Sequence, residues 1–113
     1  MRALARRRQR PLTRAIRMGC VAFDIDTRQV AIDGQPVALP RREVSLLESL
    51  LGAQGRTVSK AELLTHVYGT GADVEEGAIE VHVSRLRKRL KPHGLLIRVH
   101  RGLGYSLAEA EPA

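Results

Sequence analysis

Between Glu75 and Lys91 the apolar residues Ile79, Val83, Leu86 and Leu90 recur at offsets of 4, 3 and 4, which brings their side chains into one line on an α-helix. At roughly 100° per residue that line is only about 60° wide. A helix held by so narrow a seam lies on the outside of a small body and leaves most of its circumference for solvent or a partner. Pro92 and Gly94 stop it. The free surface carries Arg85, Arg87, Lys88, Arg89 and Lys91 together with His82, Ser84 and one apolar residue out of place, Val81. Val81 lies about 190° from the centre of the seam, where burial inside a monomer gains it nothing.

The charge distribution isolates the same segment. The chain of 113 residues has a formal charge of +7, but residues 1–19 hold seven arginines and no acid, so they account for all of it. Residues 20–80 sum to −5, 81–108 to +7 and 109–113 to −2. A balanced body therefore carries a local cationic cluster on one helix and the segment after it, the pattern of a protein that meets a polyanion. No apolar run approaches the ~18–20 residues needed to cross a bilayer, and the basic N-terminus lacks the apolar stretch of a secretory signal. The single Cys20 cannot form an internal disulfide and reads as a small buried apolar residue, which favours a reducing, cytoplasmic setting.

The pattern along the chain is strands, three helices and a hairpin, an α+β arrangement. Residues 1–19 read as a solvated arm or linker, 20–108 as one domain and 109–113 as a tail. From Cys20 to Leu39 the short apolar runs Val21-Ala-Phe23, Val30-Ala-Ile32 and Val37-Ala-Leu39 predict an antiparallel sheet of three or four strands. Asp33-Gly34 marks a type I′ hairpin turn, in which both central residues need positive φ. Pro40 opens the first helix, whose stripe of Val44, Leu47 and Leu51, with Leu46 and Leu50, ends at Gly52 and Gly55. Ser59-Lys-Ala-Glu62 fits a capping box and starts the second helix, which Gly69-Thr-Gly71 ends near Tyr68. The third helix spans about Glu75 to Lys91, with Asp73, Glu75, Glu76 and Glu80 near its N-terminus, where the helix dipole favours acids. Leu96 to Arg101 and Tyr105 to Leu107 close the fold as a hairpin around Gly102-Leu-Gly104, with Ile97 and Val99 on one face.

Enzyme chemistry has little to stand on. His66, His82, His93 and His100 show no metal-ligand spacing among themselves or with carboxylates, and no nucleophile stands beside a base. Glu62 and His66, four apart, read as an exposed contact, and Gly102-x-Gly104 as a hairpin turn and not a phosphate cradle. We expect no catalytic activity, no cofactor and no metal. Duplex DNA suits the residues better. The narrow stripe anchors the helix while Arg85 and Arg87 reach bases or phosphates, and Lys88, Arg89 and Lys91 meet phosphate. Val81 gains a place against thymine methyl groups. Arg101 stands where a cation enters an adjacent minor groove. Phe23, Tyr68 and Tyr105 are too few and too dispersed for a single-strand stacking platform. A basic RNA-binding protein and a protein-interaction module stay open as alternatives.

Five stretches then carry a family likeness: Leu39-Pro-Arg-Arg-Glu-Val-Ser-Leu-Leu47, Val58-Ser-Lys-Ala-Glu-Leu-Leu64, Val74-Glu-Glu76, Val81-His-Val-Ser-Arg-Leu-Arg-Lys-Arg-Leu90 and Val99-His-Arg-Gly-Leu-Gly-Tyr105. Over residues 20–108 the chain resembles the OmpR/PhoB-type winged-helix DNA-binding domain of bacterial two-component response regulators. The resemblance implies a four-stranded N-terminal sheet, three helices with the third as recognition helix, and a C-terminal wing. It assigns DNA contacts on the recognition helix to Val81, His82, Ser84, Arg85, Arg87 and Lys88, with Val81 and Arg85 as base readers. Wing contacts fall on Val99, Arg101, Gly102 and Tyr105. The loop Gly69, Thr70, Gly71, Ala72, Asp73 and Val74 resembles the family's contact loop for RNA polymerase. Tyr68 stands where Trp is usual, Gly77 where a polar or basic residue is frequent, and Ser84 where Arg is frequent. Met1 to Arg8 resembles the end of the last receiver helix, so the resemblance implies a longer regulator. In it a receiver domain outside this chain carries the phosphoacceptor and meets a sensor histidine kinase, and the regulator pairs as a homodimer on tandem direct repeats.

Overall fold

The computed structural model describes residues 14–69, 71, 74–75 and 77–110. Four short strands open the fold: β1 (Ala15–Met18), β2 (Val21–Asp24), β3 (Gln29–Ile32) and β4 (Gln35–Val37), antiparallel in chain order. Three helices follow: α1 (Arg41–Ala53), α2 (Lys60–Tyr68) and α3 (Ala78–Leu90). A 3-10 turn (Lys91–His93) leads into β5 (Leu95–His100) and β6 (Gly104–Glu109), the closing hairpin. This is the expected winged helix-turn-helix.

The sheet begins earlier than residue 20. Ile16 pairs with Phe23 and Met18 with Val21, so part of the basic arm is a strand. Ile16 and Met18 alternate with Ala15 and Arg17 at period 2, and both pack on the core while Arg17 stays exposed. The run of arginines hid that alternation. The remainder of the arm, 1–13, and the end of the tail, 111–113, lie outside the described residues. In the Asp33-Gly34 turn both residues hold positive φ, 54° and 78°, and Ile32 pairs with Gln35 across it, which is the two-residue hairpin that the dipeptide predicts.

α1 runs past Gly52 to Ala53. Its C-cap is Gln54, left-handed at φ 47°, whose backbone N–H donates to the Leu51 carbonyl. The Gln54 side-chain amide also donates to the Leu51 carbonyl at 2.7 Å and to the Arg17 carbonyl at 3.0 Å, so an amide side chain and not a glycine satisfies the frayed end and ties it to β1. The capping box forms as expected: Glu62 N–H donates to Ser59 Oγ at 3.0 Å, and Ser59 N–H donates to Glu62 Oε1 at 3.3 Å. α3 starts at Ala78, three residues later than its charge pattern suggests, with Gly77 as an N-cap that offers no side chain. Of the acids assigned to its first turn only Glu80 stands there.

The core lies between the two sheets and the helices. Phe23 of β2, Leu46, Leu47, Leu50 and Leu51 of α1, Leu63 of α2 and Leu107 of β6 are fully buried. The α3 seam of Ile79, Val83, Leu86 and Leu90 closes onto them, each at most 3% exposed. The hairpin is fastened by a second device. Val58, between α1 and α2, exchanges both backbone hydrogen bonds with Tyr105 at 2.7 and 2.9 Å. Gly104 beside it has φ 142°, and a β-carbon there would overlap the Val58 carbonyl. The sequence reading made Gly104 a turn residue; the contact shows that it is needed for close approach of two backbones.

Candidate nucleic-acid interface

The seam turns one side of α3 inward, and the opposite side presents Val81, Ser84, Arg85 and Lys88, all exposed. Val81 is 49% exposed, as expected for an apolar residue with no place in the core. β5 leaves the body beside α3. Its inward residues Leu95 and Ile97 are buried, while Val99, on the same face by parity, is 54% exposed because the strand has run beyond the core. At the tip Arg101, Gly102 and Leu103 form the turn, with Gly102 at φ 74° and Leu103 68% exposed. Helix and wing enclose a groove of about 510 Å³ lined by Ser84, Arg87, Val99 and Arg101, with Lys60 and Glu80 at its edge, 3.4 Å apart.

Four of the expected DNA contacts have partners within the fold. Tyr105 is 4% exposed and serves the core and the Val58 bridge, since β6 turns it inward, while it also lines the groove between helix and wing. His82 is half-buried, its Nε2 2.8 Å from the Tyr68 hydroxyl and its ring tilted 51° to that ring. It joins α3 to α2. Burial, aided by the Arg42 and Arg85 cations and opposed by Glu43, holds its pKa below the ordinary imidazole value. Arg87 donates from Nη2 to the Ile97 carbonyl at 3.1 Å, so it braces the wing against α3 from the floor of the groove. Arg89, read from sequence as a phosphate contact, instead donates from Nε to the buried Glu43 carboxylate at 2.9 Å. Helical spacing alone places Arg85 and Arg89 on adjacent turns and cannot show that an acid on α1 waits beneath the second.

Sequence reasoning missed Arg41 and Arg42, both exposed at the start of α1. A signal existed: two cations in a first helical turn oppose the helix dipole. With Arg28, His66, Tyr68 and His82 they line a second open cavity of about 690 Å³. Arg42 lies over the Tyr68 ring, 4.6 Å from its centroid, which sets a cation, an aromatic ring and a tilted imidazole in a row from α1 to α3. Arg28 and His66 both bond Glu48, at 2.7 and 3.0 Å. His66 therefore pairs with α1 and not with Glu62, whose carboxylate belongs to the capping box. Burial alone would raise the Glu48 pKa; the Arg28 and His66 hydrogen bonds outweigh it and leave the net shift downward. Of the suggested polymerase loop, Gly69, Gly71 and Val74 are described, and Thr70, Ala72 and Asp73 lie outside the described residues. No helix among the described residues is long and apolar enough to cross a membrane.

A buried-stripe helix with an outward polar and cationic face, flanked by a two-stranded wing, defines a winged-helix DNA-binding domain. The chain belongs to the family described as transcriptional regulatory protein, C terminal, whose model matches residues 34–107, and thus to the OmpR/PhoB-type effector domains. It is 40% identical over 112 residues to the response regulator protein PmrA of Pseudomonas aeruginosa, covering 99% of this chain and 50% of that protein. It is 39% identical over 109 residues to a probable transcriptional regulatory protein, y4xI, of Sinorhizobium fredii, covering 95% and 48%. The chain thus spans about half the length of the curated relatives it matches. Among solved structures, the DNA-binding domain of CpxR from E. coli superposes with a TM-score of 0.73 at 27% identity, covering 86% of this chain and 98% of that one. The Klebsiella pneumoniae RstA DNA-binding domain in complex with the RstA box gives 0.69 at 30% identity, covering 83% and 96%. The function of the domain is sequence-specific DNA binding in transcription regulation.

Proposed function

We propose that α3 enters the major groove of duplex DNA with Val81 and Arg85 at base edges, Ser84 beside them and Lys88 on phosphate, while Arg101 and Gly102 carry the wing into the adjacent minor groove. The observation that carries this reading is the outward row of Val81, Ser84, Arg85 and Lys88 on a helix whose other side is sealed into the core. Val99 and Leu103 give the wing an apolar underside for sugar rings, and Arg41 and Arg42 face the flanking phosphates from α1. Within a regulator twice this length, the domain acts in the cytoplasm and pairs as a homodimer on tandem direct repeats. A receiver domain addressed by a sensor histidine kinase controls it, and the Gly69–Val74 loop is turned toward RNA polymerase. These roles rest on the family likeness.

Selection of bound sequences from random duplex DNA yields the site. On it, Arg85→Ala is expected to lose about 1–3 kcal/mol and to relax preference at one base pair. Equal loss on the selected and on random duplexes makes Arg85 a phosphate contact and refutes its reading role. Structured RNA serves as the competitor, and a preference for it over the selected duplex overturns the assignment to DNA.

A further inference from the structure

Beyond the C-terminal end of α3, three side chains of different chemistry converge that the sequence keeps apart: Cys20 in the β1–β2 turn, Asp33 in the β3–β4 turn and His93 in the 3-10 turn. Their ligand atoms, a sulfur, a carboxylate oxygen and an imidazole nitrogen, all lie within 4.8 Å of one another. Each is held by its own backbone. Asp33 N–H donates to the Cys20 carbonyl at 2.8 Å, which continues the β2–β3 ladder and fixes those two residues side by side. Cys20 Sγ donates to the His93 carbonyl at 3.4 Å, and His93 is framed by Pro92 and by Gly94, whose carbonyl accepts from Ala110 N–H. Cys20 is half-buried, whereas Asp33 and His93 are exposed, so both can rotate inward without disturbing the core.

We propose that Cys20, Asp33 and His93 form a binding site for a borderline divalent cation of the Zn2+ class. The donor set decides the class. A thiolate and an imidazole select Zn2+ or Co2+ over Mg2+ and Ca2+, which want oxygen ligands and more of them. Tetrahedral bonds of about 2.0–2.3 Å place donors roughly 3.5 Å apart, so a modest rotation of the two exposed side chains closes the set around a metal, with water as the fourth ligand. Binding exchanges the thiol proton, released to solvent, for a sulfur–metal bond, and no electron is transferred. The bound ion links the N-terminal sheet to the segment that joins the recognition helix to the wing.

Co2+ titration of the 113-residue chain, free of any purification tag, tests the site. One equivalent is expected to give a thiolate-to-cobalt charge-transfer band with the visible bands of tetrahedral cobalt, and Zn2+ is expected to displace it and raise Tm. Cys20→Ser abolishes the charge-transfer band and the rise in Tm. Asp33→Asn, which tolerates the positive φ of that turn, and His93→Gln each weaken Co2+ binding by about tenfold or more. Because both residues are exposed, their variants keep the unliganded Tm of the parent, so weakened binding cannot be blamed on unfolding. Absence of the charge-transfer band, or a band and affinity unchanged in both Asp33→Asn and His93→Gln, overturns the proposal.

Discussion

Arg89→Ala separates a structural cation from its DNA-facing neighbours. Glu43 is 0% exposed, and its Oε1 accepts from Arg89 Nε at 2.9 Å, whereas Oε2 has no hydrogen-bond partner among the described residues. Removing the guanidinium leaves a carboxylate buried without its counter-charge, a change that destabilises by roughly 3–5 kcal/mol in general. The Arg89 side chain is 46% exposed, so water can enter the space it vacates, and the lower end, about 3 kcal/mol, is expected. At about 4–8 °C per kcal/mol for a domain of this size, Tm falls by about 12–24 °C. Urea and thermal unfolding followed by circular dichroism read the loss. The double variant Glu43→Met with Arg89→Met regains most of it, because an apolar pair of similar volume needs no compensation. DNA binding supplies the contrast. Lys88→Ala lowers the slope of log affinity against log salt by about 0.9, the release of one phosphate's counterion. Arg89→Ala, measured well below its Tm, leaves that slope unchanged. A loss of stability under about 1 kcal/mol, or a fall in salt slope equal to that of Lys88→Ala, refutes the assignment of Arg89 to the fold.

Gly104→Ala forces a β-carbon into the Val58 carbonyl at a φ of 142°, and destabilisation of about 3 kcal/mol is expected, with hydrogen exchange showing the wing loosened first. Gly102→Ala, strained at φ 74° but in open space, loses less, and equal losses would remove the role given to the Val58 contact. Because the folded-state pKa of His82 is depressed from 6.5, its contribution is fully present above that value and is lost as pH falls below it. His82→Gln is expected to flatten stability between pH 7 and pH 5 (about two units around the ordinary imidazole range), and an unchanged profile would show that burial beside Arg42 does not depress the His82 pKa. Truncation of residues 1–13 lowers the salt slope of nonspecific DNA binding. Truncation of 1–19 also removes β1 and lowers Tm. Equal Tm values for the two would contradict the place of Ile16 and Met18 against the core.

What the sequence revealed and what it hid differ by the range of the interaction. The Asp33-Gly34 turn, the Ser59–Glu62 box and the α3 seam are local, written into residues one to eleven apart, and all three form as their spacing predicts. The family motifs carried the order of elements, and the period-2 alternation of β1 was equally local but lay under a louder charge signal. Most side-chain contacts that periodicity did not show come from a partner more distant in the chain, Arg87 with Ile97 ten residues on being the exception. Arg89 meets Glu43 across 46 residues, His82 meets Tyr68 across 14 and Cys20 meets His93 across 73. Helical periodicity tells which way a cation on α3 points, but not whether an acid or a phosphate stands there.

That difference divides the basic cluster by function. In the sequence the seven cations between 81 and 108 form one cluster on a helix and a hairpin. The fold commits Arg87 to the Ile97 carbonyl and Arg89 to Glu43, which leaves Arg85 and Lys88 as the outward cations of the middle of α3 and Arg101 as that of the wing tip. Arg87 ties the wing strand to α3 and Arg89 ties α3 to α1, so it is Arg87 that holds the helix against the wing, the geometry on which the proposed joint reach of Arg85 and Arg101 depends. Substitution of Arg87 should therefore weaken specific binding more than random-duplex binding, although its guanidinium is turned toward the wing strand and not toward the DNA.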